Sequence, residues 1–118
     1  MSLAEIIDIT QEDPDDGWSL GDMYKRQGML EERPRTFSSW KRRSTAGQGG
    51  SVQDSLDGLF LAVSRIAPRI ANRPELRCEL QIVQYFSKPA RDIGFHLDAP
   101  WLATLASVPA SIDVDQYR

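Results

Sequence analysis

Asp92, His96 and Asp98 place the single histidine of this chain between two carboxylates, a donor set that suits a divalent metal. Asp98 also stands just ahead of Pro100, where a helix would start, so capping is the preferred reading and the cluster is taken as solvated. The acidic turn Asp13 to Asp16 offers oxygen ligands, yet it lacks the ligand spacing and distal glutamate of a calcium loop. Nucleophilic catalysis finds no footing: serines and threonines are scattered through turns, and no G-x-S-x-G elbow occurs. Gly47, Gly49 and Gly50 precede a helix without a P-loop lysine or G-x-G-x-x-G spacing, which reads as a flexible linker rather than a phosphate cradle. Cys78 falls on the apolar phase of a strand and is read as a small core residue. No catalytic residue, metal or cofactor is assigned.

Two other groupings carry more weight. Trp18, Tyr24, Phe37 and Trp40 interleave with Lys25, Arg26, Arg35, Lys41 and Arg42, a mixture that can stack bases and neutralise phosphates. The competing reading turns the aromatics inward and the cations to water, and an acidic chain favours it over nucleic-acid binding. Trp18, Gly21, Asp22 and Trp40, with Tyr117, form the second grouping. It is either the packing of a glycine turn against two indoles or a ligand or interface site. Packing is preferred, and a cleft near Trp18, Asp22 and Trp40 for a small-molecule binder or enzyme is the alternative.

These residues need elements to hold them. Ser2 and Glu5 have the spacing of a capping box for a first helix whose apolar face is Leu3, Ile6 and Ile7. Trp18 to Lys25 and Thr36 to Arg42 are candidate strands of a long hairpin, with Gly28 and Pro34 bounding its loop. Residues 44–50 are small and polar and are expected to be mobile. Ser51 caps the longest helix, with Asp54 at its third position, and Pro68 and Pro74 are expected to end it. Val52, Leu56, Leu59, Phe60, Val63, Ile66 and Ile70 recur at helical spacing, and Leu76, Cys78, Leu80 and Ile82 then alternate with polar residues. A polar connection, Ser87 to Phe95, leads to Asp98, which caps a helix carrying Pro100 in its first turn and stopped by Pro109. Ser111 to Tyr117 alternates as a half-buried strand. Two helix-to-strand units therefore follow one another, and they predict one α+β domain over residues 1–118: a mixed sheet of about four strands with helices mainly on one face.

With 118 residues and a 41% apolar share, the chain can bury a core without disulfides. No apolar run approaches a membrane span and the start resembles no secretory signal, so the cytoplasm is the expected location. The net charge of −3 is unevenly spread. Residues 1–24 hold seven acids and no base, whereas residues 25–43 hold seven bases against Glu31 and Glu32. Mutual compensation of the two stretches is preferred to a basic surface for an acidic partner.

Taken in order, Pro14, Trp18, Gly21 and Asp22 (P-x-x-x-W-x-x-G-D), Trp40, the leucine-rich helix from Ser51, Asp98-Ala99-Pro100-Trp101-Leu102 and Ile112-Asp113-Val114-Asp115-Gln116-Tyr117 resemble the bacterial domain of unknown function 4279 family. The resemblance covers nearly the whole chain. It implies a mixed α+β domain and brings no reaction or ligand. It also implies a strand ahead of the first helix, which this sequence does not have, so a shortened start or an open sheet edge is expected. An open edge is a template for another chain, and a homodimer through it is one expectation. The function expected overall is a non-catalytic protein-interaction module of the immunity (toxin-neutralising) kind, with an unidentified protein partner.

Overall fold

Ser2 begins the fold by accepting a hydrogen bond at its Oγ from the Glu5 amide, 3.2 Å away, which caps helix α1 (Leu3–Thr10). The computed structural model describes residues 1–45, 51–85 and 94–117. The chain forms two compact units, Met1–Arg43 and Ser44–Arg118. Residues 46–50 of the stretch expected to be mobile, Asp92 and most of the Ser87 to Phe95 connection lie outside the described residues.

In the first unit α1 is followed by four short strands: β1 (Asp16–Trp18), β2 (Met23–Tyr24), β3 (Arg33–Pro34) and β4 (Ser39–Lys41). β1 pairs antiparallel with β4, and β2 with β3. From the Trp18–Ser39 pair, five residues on along one arm and five back along the other reach the Met23–Pro34 pair, so one hairpin register runs through both. A turn breaks the ladder between them. The Asp22 amide donates to the Ser19 carbonyl at 3.0 Å, and Gly21 adopts a left-handed φ of 90°, which glycine tolerates best. Gly17 is needed for a different reason. A Cβ there would stand 2.6 Å from the Ser39 carbonyl oxygen and 3.1 Å from the Leu3 methyls, so the ribbon approaches its partner and α1 too closely for a side chain.

The second unit runs α2 (Val52–Ile70), β5 (Glu79–Tyr85), α3 (Ala99–Ser107) and β6 (Ser111–Tyr117). A reciprocal capping box starts α2: Ser51 Oγ accepts from the Asp54 amide at 3.2 Å, and Asp54 Oδ2 from the Ser51 amide at 3.1 Å. Asp98 Oδ1 accepts from the Trp101 amide at 3.1 Å and caps α3, with Pro100 in the first turn. β5 and β6 pair in parallel, from Glu79–Ser111 to Tyr85–Tyr117. Leu80 and Ile82 on β5 meet Leu56 of α2 and Trp101 and Leu105 of α3 in one core, with the Phe60 ring 5.0 Å from that of Trp101 and tilted by 57°. Both helices thus bury against one face of β5, while Glu79, Gln81, Val83 and Tyr85 on the other face are exposed.

The helix-to-strand rhythm and the α+β class are as the periodicity predicts. The single sheet of four strands is not found: the described strands form three two-stranded sheets. The expected hairpin strands shrink because the Ser19–Asp22 turn divides them. Pro34, expected to bound the loop, lies in β3, where it pairs with Met23. Pro68 does not end α2, which continues through it to Ile70. A proline forfeits one helical hydrogen bond, and here the loss falls in the last turn, where burial of Ile66 and Ala67 holds the helix.

Candidate functional site

Register decides what each side chain of the hairpin can reach. Residues opposite one another in an antiparallel pair share a face, and neighbours along a strand alternate. Trp18 stands opposite Ser39, and Trp40 opposite Gly17, so the two indoles lie on opposite faces of the ribbon. Trp40 shares its face with Gly17, against which Leu3 of α1 sits, and its indole N–H donates to the Glu12 carbonyl at 3.0 Å. Trp18 lies on the other face. Its indole N–H donates to the Phe37 carbonyl at 2.9 Å, and the two rings stand 5.7 Å apart.

The Trp18 face carries a run of cations over aromatic rings. The Arg35 guanidinium carbon lies 3.9 Å from the centre of the Trp18 ring and 4.0 Å from that of Tyr24. Lys41 Nζ is 4.9 Å from Trp18, and the Arg26 guanidinium 5.6 Å from Tyr24. Cations are drawn to ring faces by the quadrupole of the π-system, most strongly by tryptophan. Arg35 is also fixed through its backbone: its amide donates to the Asp22 carbonyl at 2.8 Å, and its carbonyl accepts from the Gly21 amide at 2.9 Å. The Asp22 carboxylate holds the turn that does this, Oδ2 accepting from the Ser19 amide at 2.8 Å. Gly21 and Asp22 thus position Arg35 between two rings.

The other cations have a different fate. Arg42 Nη1 donates to the Asp13 carbonyl at 2.7 Å and stands 3.9 Å from Glu12 Oε2, with Nε 3.7 Å from Asp15 Oδ2. The Arg43 amide donates to Asp15 Oδ2 at 2.7 Å, and its guanidinium meets Asp16 at 3.2 Å. Charge compensation therefore holds for Arg42 and Arg43, which grip the acidic turn. Among the described residues, Arg26, Arg35 and Lys41 make no ion pair, and the Arg35 guanidinium makes no hydrogen bond. In the sequence Arg35 is one of several interleaved cations and does not stand out from them. The period-two spacing of Arg35, Phe37, Ser39 and Lys41 was the available signal.

Tyr117 belongs to the second unit, at the end of β6, where its ring stacks on Tyr85 at 5.4 Å. Every residue of β6 is exposed. Ile112 and Val114 lie opposite Leu80 and Ile82 and share their face, but they are 44% and 42% exposed where their partners are 7% and 4%. Beside them Gln116 Nε2 donates to Gln84 Oε1 at 2.9 Å. Burial pushes the Cys78 thiol above its ordinary pKa, which disfavours the reactive thiolate. Asp98 is committed to its cap. Among the described residues no three histidine, cysteine or acidic side chains gather as a metal site, and no helix is long and apolar enough to cross a membrane.

An α1-braced hairpin in one unit and a helix–strand–helix–strand unit with a parallel strand pair in the other define a small α+β protein. The match to a family model extends over residues 1–118, and the chain belongs to the domain of unknown function 4279 (DUF4279) family. No curated protein and no solved structure matches it.

Proposed function

We propose that this protein is a non-catalytic protein-interaction module of the immunity kind, acting in the bacterial cytoplasm, and that β6 is a surface on which its partner docks. The supporting observation is the step in burial across one strand boundary. Leu80 and Ile82 are core residues, and their registered neighbours Ile112 and Val114 carry the same apolar face out into solvent. Exposed apolar surface beside a strand edge that no described residue pairs favours the addition of another chain, with main-chain hydrogen bonds for affinity and alternate side chains for specificity. Tyr117 would lie at the end of that interface. Trp18, Gly21, Asp22 and Trp40 remain interface candidates through the hairpin they shape.

Capture from extracts of the native host, with the wild type and Val114→Lys in parallel, tests the reading. The expected result is one protein recovered with the wild type and lost with the variant, whose melting curve stays cooperative. Identical recoveries with both chains would overturn the role of β6. Sedimentation across a range of concentrations identifies the case in which the partner is a second copy: the mass doubles, and Val114→Lys reverts it to the monomer.

A further inference from the structure

From the hairpin face that carries Arg35, we infer a second recognition site, one that takes carboxylate side chains of an acidic protein segment. It lies in the other unit from β6 and stands or falls independently of the β6 reading. A guanidinium presents its five N–H donors in its own plane, in a fork that matches the two oxygens of a carboxylate. At Arg35 the Trp18 and Tyr24 rings, about 4 Å away, flank the guanidinium and restrain it, while its donors make no hydrogen bond among the described residues. Restraint of this kind lowers the conformational entropy lost on binding, and arginine on an aromatic face is the arrangement suited to it.

Three further observations set the chemistry of the ligand. Lys41 on Trp18 and Arg26 on Tyr24 flank Arg35 along the same two rings, and none of the three makes an ion pair among the described residues. Arg42 and Arg43 are already engaged by Glu12, Asp15 and Asp16, so they are not available to a visitor, and the ladder cations are. Finally, Trp18 and Tyr24 both carry cations over their faces. Base stacking on a single-stranded nucleic acid needs free ring faces, and here it would have to displace those cations. An extended polyanion would also meet the acidic turn next to the ribbon. A short run of carboxylates meets neither obstacle.

The test titrates the full chain with a hexaglutamate peptide at low ionic strength, following tryptophan emission and the arginine side-chain NMR signals. Saturable binding that moves the Arg35 Nε–H signal is expected. Arg35→Lys keeps the charge and loses the fork, and should weaken binding about ten-fold. Because Arg35 also bridges two rings, the double variant Arg26→Gln/Lys41→Gln provides a second reading from exposed flanking residues, and it too should weaken binding while melting like the wild type. Lys25→Ala should leave binding unchanged. Absence of saturable binding, wild-type affinity in Arg35→Lys and in the double variant, or tighter Arg35-dependent binding of hexathymidylate than of hexaglutamate would each overturn the proposal.

Discussion

Asp22 shows how a residue can look like chemistry and serve geometry. Its carboxylate accepts from the Ser19 amide, its own amide closes the same turn, and its carbonyl receives the Arg35 amide. Asp22→Ala should therefore lower stability by about 1 kcal/mol, the net worth of one such hydrogen bond. Urea denaturation should show a lower midpoint at unchanged slope. Asp22→Asn retains an oxygen acceptor and should recover most of the loss. An unchanged midpoint in Asp22→Ala, accompanied by lost partner capture, would instead place this carboxylate in an interface. Trp18 and Trp40 differ in the same instructive way. One residue type, in one ribbon, serves as a platform for cations on one face and as a donor to the Glu12 carbonyl on the other.

At the level of elements, the parts readable from the sequence were those decided by neighbours three or four residues apart. The caps at Ser2, Ser51 and Asp98 and the periodic stripe of α2 all depend on such local spacing, and each is where the pattern predicts it. Ser51→Ala removes one half of the reciprocal box and should cost the second unit about 1 kcal/mol; loss of far-UV circular dichroism in urea would report it as an earlier transition. What resisted reading depended on distant partners. The inward direction of Trp40 was undecidable because Phe37 and Trp40 differ in parity and either could have faced α1. The break in the hairpin arises from a turn whose hydrogen bonds reach across to Arg35. The end of α2 departs from the local preference of Pro68 because burial of Ile66 and Ala67, a tertiary effect, outweighs it.

For the whole molecule, the uneven charge along the sequence resolves into a division of labour among the cations of one ribbon. Arginines 42 and 43 neutralise the acidic turn, and the cations at 26, 35 and 41 are left on aromatic rings. Composition reports the imbalance without saying which cations are engaged, since that depends on contacts between residues distant in sequence. Register also separates the two units in how they must fold. The hairpin of the first unit closes over the short stretch between Tyr24 and Arg33, whereas each β5–β6 pair joins residues 32 positions apart. Closing the longer loop costs more entropy before any contact offsets it, and non-local pairing slows folding. In stopped-flow refolding, Trp101 should therefore report a slower phase than Trp18, as read from single-tryptophan variants. A chain whose β5 forms ahead of β6 presents the strand edge that β6 covers in the fold, and such an edge is a template for aggregation.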